Sequence, residues 1–185
     1  MCSSDLAAGK GGGVDLVLNG TVKDVVVGGA AGATPFREPA ISFGAAGAWS
    51  GKAKHLTLSR GSVAAGAMSA ALKPGFVVDM GERPGASGDV TLDADFARLA
   101  TLRALMPSLD SVLAGKLHAE ARLTSTDGMK AEWNVRADGL RFAPGALSSA
   151  GYVEPAVVLR GSFEKTRGGD MVVGLAEFSS SVASL

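Results

Sequence analysis

Apolar and polar side chains alternate along much of this chain, most strictly between residues 88 and 142. The alternation has a period of two, which is typical of strands with one apolar and one solvated face. The apolar positions are Val90, Leu92, Ala94 and Phe96 in a first segment, Leu117, Ala119, Ala121 and Leu123 in a second, and Ala131, Trp133, Val135 and Ala137 in a third. This stretch therefore predicts three amphipathic strands.

A short helix is predicted between the first two of these strands, over residues 96–106. Phe96, Leu99, Leu102 and Met106 fall on helical spacing, and Pro107 ends the run. Asp95 is placed to cap its amino terminus. A helix of this length is too short to be stable alone in water, so we expect it to dock on the sheet.

Glycines divide the amino-terminal half of the chain into further predicted strands. Asn19-Gly20 lies between two alternating runs and predicts a hairpin turn. Gly61 is predicted to turn the chain between strands at Lys52–Arg60 and Ser62–Leu72. Lys73-Pro74-Gly75 predicts another turn.

The predicted strand Ser62–Leu72 consists almost entirely of Ala, Gly, Ser and Met. Side chains this small allow a sheet to curve sharply, or allow another surface to approach it closely.

Composition limits the kind of core that this chain can build. The 185 residues are 46% hydrophobic but only 5% aromatic, and they include 26 Gly. Such a chain lines a surface more readily than it fills a thick two-layer core. The 18 basic and 18 acidic residues cancel, and no basic block stands out, so nucleic acid is not an expected partner.

No catalytic or metal-binding motif is recognisable in the sequence. His55 and His118 lie in separate strands on the polar side, and no carboxylate or nucleophile is expected around either. Asp89, Asp93 and Asp95 are explained by the solvated face of one strand, without a Ca²⁺ site. We therefore expect no enzyme activity, no cofactor and no bound metal.

The first six residues, Met1–Leu6, look like a translated sequencing adapter, a common remnant in metagenomic assemblies. We expect residues 1–6 to be an artefact. Residues 7–185 are then one β-repeat segment of a longer protein. Gly88–Ala94 resembles Gly115–Ala121, as expected for a degenerate repeat of strands.

A sheet with one apolar face must be covered by a second sheet, close into a barrel, or curl around something apolar. A membrane barrel would show aromatic girdles, which one Tyr and two Trp do not supply. The predicted fold is therefore mainly β: an extended, curled antiparallel sheet that forms an open, taco-like groove, with the short helix near 96–106. Candidate groove-lining residues are Val90, Leu92, Ala94, Leu117, Ala119, Ala121, Leu123, Trp133, Val135 and Ala137.

Three strings of residues carry a resemblance to a known family. They are 87–107, which begins Ser-Gly-Asp-Val-Thr-Leu-Asp-Ala-Asp-Phe, 113–124, which begins Leu-Ala-Gly-Lys-Leu-His-Ala-Glu, and 135–142, Val-Arg-Ala-Asp-Gly-Leu-Arg-Phe. Together they resemble a segment of AsmA-like proteins and are most similar to the TamB branch, part of the translocation and assembly module. The resemblance is clearest over residues 86–142.

The resemblance implies a long β groove that spans the periplasm and is anchored to the inner membrane outside this segment. Such a groove conducts phospholipids toward the outer membrane and serves cell-envelope biogenesis. The implied partners are phospholipid acyl chains and an outer-membrane barrel protein of the assembly type.

Two other functions stay open at this point. One is a β-scaffold that assists the assembly of outer-membrane proteins and autotransporters, using the free edges of its strands. The other is a piece of a secreted β-solenoid adhesin.

Overall fold

The computed structural model describes residues 2–8, 13–27, 36–82, 84–98, 111–125, 128–144, 151–166 and 168–181. In these ranges the chain forms eleven strands. They are β1 (Cys2–Ala8), β2 (Gly13–Val27), β3 (Phe36–Ser50), β4 (His55–Ala65), β5 (Met68–Leu72), β6 (Phe76–Asp79), β7 (Gly85–Asp95), β8 (Val112–Thr124), β9 (Gly128–Phe142), β10 (Tyr152–Thr166) and β11 (Met171–Ser179).

All strands belong to one antiparallel sheet whose spatial order follows the chain from β1 to β11. The short strands β5 and β6 share one column, because both lie between β4 and β7. In the described residues β1 and β11 are the two ends of the sheet and do not pair with each other. The predicted fold class, a mainly β chain that forms an extended open antiparallel sheet, is confirmed.

The three strands predicted between residues 88 and 142 correspond to β7, β8 and β9. Of the predicted helix, residues 96–98 form a 3₁₀ turn, and residues 99–106 lie outside the described residues. A carboxylate oxygen of Asp95 accepts a hydrogen bond of 3.0 Å from the amide of Ala97, which is the contact that an N-cap makes.

The hairpin predicted at Asn19-Gly20 is wrong. β2 runs without a break through both residues, and Gly20 pairs with Phe43 of β3. A Cβ on Gly20 would lie less than 3.0 Å from the ring of Phe43. Gly20 is therefore needed because a ring lies over it, and not because the chain turns there.

The turn predicted at Gly61 is also wrong, because β4 continues from His55 to Ala65. The register between β3 and β4 shifts at this point: Leu58 pairs with Gly47, whereas Gly61 pairs with Ala45. This β-bulge inserts one residue in β4 and changes the phase of its alternation. The chain turns later, between β4 and β5, so the predicted strand Ser62–Leu72 is split. The turn predicted at Lys73-Pro74-Gly75 is confirmed, with Gly75 at a φ of 89°.

β1 pairs with β2 from Cys2 to Ala8, so most of the segment expected to be an adapter remnant is a strand of this sheet. The part of the chain that the structure describes contains no apolar helix of membrane-spanning length.

The sheet is a single layer with very little interior. Among the described residues, the buried apolar side chains are Phe76, 6% exposed, and Ala137, 7% exposed. The molecule exposes 11578 Å², whereas a compact chain of this mass exposes roughly 8,200 Å². Most apolar side chains are therefore half-buried by their neighbours in the same layer.

Candidate functional site: the apolar face

Cross-strand pairing assigns each side chain to one of the two faces of the sheet, because directly opposed residues point to the same side. Leu92 of β7 lies opposite Ala119, which lies opposite Val135, which lies opposite Leu159 of β10. We call the surface that contains this row the apolar face.

The apolar face continues across the sheet from β2 to β11 without a charged side chain in its rows. Its members are Val14, Leu16, Leu18, Gly20 and Val22; Ile41, Phe43, Ala45, Gly47 and Trp49; Leu56, Leu58, Gly61, Val63 and Ala65; Met68, Ala70 and Leu72; Phe76 and Val78; Ala86, Gly88, Val90, Leu92 and Ala94; Leu117, Ala119, Ala121 and Leu123; Ala131, Trp133, Val135 and Ala137; Val157, Leu159, Gly161 and Phe163; and Val173, Leu175 and Phe178. Lys165 is the first charged residue beyond it on β10.

Two β-bulges keep this face continuous. In β4 the bulge brings Leu56 and Leu58 to the same side as Gly61, Val63 and Ala65. A second register shift lies between β10 and β11, where Leu159 lies opposite Phe178 and Gly161 lies opposite Leu175. The step of two residues in β10 thus corresponds to a step of three in β11, and all four residues lie on the same face. Without these extra residues, part of each strand would present its apolar side chains to the other face.

All ten predicted groove-lining residues lie on the apolar face. They form rows of three across β7, β8 and β9, namely Ala94 with Leu117 and Ala137, Leu92 with Ala119 and Val135, and Val90 with Ala121 and Trp133, while Leu123 lies opposite Gly88. The structure therefore brings these side chains together on one surface. Their role in lining a lipid groove stays a prediction.

A concavity of about 320 Å³ on this face lies between β3, β4, β5 and β7, to one side of most of the predicted residues. Its lining includes the small residues Ala45, Gly61 and Ala70. The larger side chains of the lining are Phe43, Leu58, Val63, Leu72 and Val90. Of these lining residues, only Val90 is among the predicted groove-lining residues. The sequence signal that could have located the concavity is the run of small residues over 62–72.

This concavity lies where the column between β4 and β7 is broken into β5 and β6. The intervening turn is fixed by two backbone hydrogen bonds of 2.9 Å, from the amide of Gly75 to the carbonyl of Leu58 and from the amide of Lys73 to the carbonyl of Asp89. Beside it, Phe76 packs on Gly88, whose φ of 144° is unfavourable for a residue with a side chain.

Three large rings lie over glycines of neighbouring strands. A Cβ added to the glycine would come within 3.0 Å of the ring in each of the pairs Phe43–Gly20, Phe76–Gly88 and Trp133–Gly161. Packing a ring across a glycine buries aromatic surface within one layer, and it is a known way to compensate for glycine in a strand. The rings therefore stabilise the sheet without a second layer.

The opposite surface, which we call the polar face, carries ion pairs between adjacent strands and one pair from the turn after β5 to β8. Arg122 donates to Asp89 at 2.8 Å, Lys73 to Glu120 at 2.9 Å, and Arg160 pairs with Glu177 at 2.9 Å. Hydrogen bonds from these cations hold the pKa values of Asp89 and Glu120 below their ordinary range. Exposed pairs of this kind favour the correct cross-strand register more than they add stability.

A carboxylate does lie beside His118, contrary to expectation. Nδ1 of His118 is 2.7 Å from a carboxylate oxygen of Asp93, and both residues line a concavity of about 540 Å³ to which both faces of the sheet contribute. Ser69 lies opposite Asp93 on the side away from His118. A nucleophilic hydroxyl must contact the base, so this order does not build a Ser-His-Asp relay. Within the described ranges no three His, Cys, Asp or Glu side chains are grouped to hold a metal ion.

Comparison of the chain with protein-family models, with curated proteins and with solved structures finds no match.

Proposed function

We propose that this chain is part of a periplasm-spanning protein, anchored to the inner membrane, whose apolar β-groove conducts phospholipids toward the outer membrane. The observation that carries the proposal is the apolar face, which runs from β2 to β11 without a charged side chain in its rows. The cellular location rests on the resemblance to AsmA-like proteins.

The dimensions of the face suit acyl chains. Strands lie about 4.8 Å apart, so the columns of the apolar face from β2 to β11 extend for roughly 40 Å. One acyl chain spans about half of the ~30 Å hydrocarbon core of a bilayer, or roughly 15 Å. The apolar face is therefore longer than two acyl chains placed end to end along the sheet.

The expected affinity suits transport. Burial contributes about 0.8 kcal/mol per CH₂, so a chain of about 16 carbons that buries half its surface gains about 6 kcal/mol. That corresponds to a dissociation constant on the order of tens of micromolar. A single layer contacts the lipid from one side, which keeps binding weak enough for the lipid to move.

Site-specific photo-crosslinking in the periplasm of a diderm host tests this function. A benzophenone side chain is placed at Leu92, Leu117 or Trp133 on the apolar face, and at Asp93 or Glu120 on the polar face as controls. We expect phospholipid adducts at the first three positions only. Equal labelling of both faces would refute the proposal, and adducts with unfolded outer-membrane proteins instead of lipid would support the assembly scaffold.

A matched pair of substitutions tests the same proposal by the amount of phospholipid that copurifies with the protein. Ala119→Glu places a carboxylate between Leu92 and Val135 on the apolar face, whereas Ala64→Glu places it opposite Ser42 and Ser69 on the polar face. We expect Ala119→Glu to reduce the phospholipid that copurifies by about tenfold, the equivalent of 1.4 kcal/mol, and Ala64→Glu to leave it unchanged.

A further inference from the structure

The rows of the apolar face reach a notch in the sheet. The last row across β4, β5 and β7 consists of Ala65, Met68 and Ala94, and these three strands stop at this row or directly after it. The strands on either side continue past the row, β3 back to Phe36 and β8 back to Val112. Because the sheet is a single layer, its two faces meet in this notch.

The concavity of about 540 Å³ lies at the notch, and its volume is within the range of about 300–1,000 Å³ that is usual for sites of small organic ligands. The last apolar row contributes to its lining, together with charged residues of the polar face and of the turn after β7. Lys116 lies opposite Asp95 on one side and Asp138 on the other, and Arg98 belongs to the turn. Charges of both signs therefore line a concavity that the apolar rows reach.

Two cations of this concavity are not used in ion pairs of the fold. Among the described residues neither Lys116 nor Arg98 takes part in an ion pair. Lys116 has a carboxylate opposite it on both sides and pairs with neither. The concavity therefore offers two cations to an anionic group, with carboxylates beside them for a cationic group, and charge-assisted hydrogen bonds would hold both.

We propose that this concavity binds the headgroup of a phospholipid whose acyl chains lie on the apolar face, and that it prefers phosphoethanolamine. Such a site requires that the apolar face binds lipid, so it rests on the function proposed above. The phosphate lies beside Lys116 and Arg98, and the ammonium group donates to Asp95. An ammonium group has three N–H donors, which suits a lining rich in carboxylate oxygens.

Other headgroups fit this lining less well. Phosphoglycerol carries the negative phosphate without a positive group, so Asp93 and Asp95 would repel it without compensation. Phosphocholine carries a positive group that has no N–H, so it cannot donate a hydrogen bond to these carboxylates. The expected order of preference is phosphoethanolamine first, then phosphocholine, and then phosphoglycerol.

Binding from vesicles of defined composition tests this preference. The full 185-residue chain is incubated with vesicles of phosphatidylethanolamine and phosphatidylglycerol in equal amounts and with the same acyl chains, and the bound lipid is identified by mass spectrometry. We expect an excess of bound phosphatidylethanolamine of about fivefold, the equivalent of about 1 kcal/mol. With phosphatidylcholine in place of phosphatidylglycerol, the excess should be smaller but present.

Two substitutions should change the ratio of phosphatidylethanolamine to phosphatidylglycerol in opposite directions. Asp95→Asn removes the negative charge beside the ammonium group, so the ratio should fall; the asparagine keeps an oxygen that can accept from the amide of Ala97. Lys116→Gln should raise the ratio, because phosphoglycerol depends on the cations alone. Lys52→Gln, in the turn after β3 at the other end of β4, is the control and should leave the ratio unchanged.

The total amount of bound lipid distinguishes failure of the headgroup site from failure of lipid binding. Bound lipid in the same proportions as the vesicles would refute the headgroup site and leave lipid binding on the apolar face intact. No bound phospholipid would refute both. A ratio that Asp95→Asn and Lys116→Gln shift in the same direction, or that neither changes relative to Lys52→Gln, would also refute the headgroup site.

Discussion

Glycine has two distinct roles among the residues of this sheet. At Gly75 it supplies a positive φ in a turn, whereas at Gly20 and Gly161 it makes room for a ring on the neighbouring strand. The second role is invisible in the sequence, since the ring that requires it lies on another strand. This is the physical reason why the hairpin predicted at Asn19-Gly20 was wrong.

Gly161→Ala should destabilise the sheet by about 1–3 kcal/mol, the usual cost of forcing a methyl group into a filled space. The added Cβ would come within 3.0 Å of the indole of Trp133 and of the carbonyl oxygen of Gly174. Gly168→Ala is the matched control, because its Cβ would meet its nearest atoms at 3.7 Å and 3.8 Å. The urea concentration at the unfolding midpoint should be lower for Gly161→Ala only. Equal midpoints for the two variants would contradict the close packing of Trp133 over Gly161.

At the scale of the strand, β4 shows how one extra residue determines which face is apolar. Its apolar positions are even-numbered at Leu56 and Leu58 but odd-numbered at Val63 and Ala65. The sequence predicts a turn where this phase changes, and the structure has a bulge at Ser59 and Arg60 instead. A turn and a bulge would each keep the apolar side chains on one face of the sheet. Which of the two forms is determined by the pairing of β4 with β3.

Deletion of Ser59 should cost about 3–6 kcal/mol, because it would turn two leucines worth about 1.5–3 kcal/mol each to the polar face. Ser59→Ala removes only an exposed hydrogen bond of 3.2 Å to the carbonyl of Ala46, so its midpoint in urea should be nearly unchanged. If the deletion variant unfolds at the same urea concentration as Ser59→Ala, the bulge does not set the register.

Strand prediction from periodicity succeeded where the alternation is strict and unbroken. In β7, β8 and β9 the apolar residues of the strictly alternating runs share one face, because a strand has only two faces and charged side chains mark one of them. Periodicity alone could not locate the concavity around Gly61. That feature depends on β4, β5 and β7 meeting at a break in the sheet, which is a property of long-range pairing.

For the whole molecule, the division into two faces separates the proposed lipid-binding surface from the solvated one. The apolar face carries the proposed function, and the polar face carries the ion pairs that hold the strands in register. The chain has no formal net charge at neutral pH. Protonation of the carboxylates therefore removes the ion pairs and leaves a cationic molecule that repels itself.

The shifted pKa values of five carboxyl groups predict whether acid raises or lowers the stability of the folded state. Hydrogen bonds from cationic partners lower the pKa values of Asp89, Glu120, Glu132 and Asp138. The pKa of Glu154, which is 3% exposed, is lowered by the hydroxyl of Tyr152 and by Ser181. A group with a lowered pKa in the folded state stabilises it above the unfolded pKa, and this contribution is lost as the pH falls through the folded pKa.

The urea midpoint should accordingly stay level from pH 7 to about pH 5 and then fall steadily on further acidification. Tyr152→Phe isolates the share of Glu154, since it removes one donor to that carboxylate and keeps the ring that packs against Phe142 at 6.2 Å. This variant should lose stability at pH 7 and show a shallower decline below pH 4.5, the ordinary pKa of Glu154. A midpoint that rises on acidification, or parallel curves for the two proteins, would show that these hydrogen bonds do not stabilise the folded sheet.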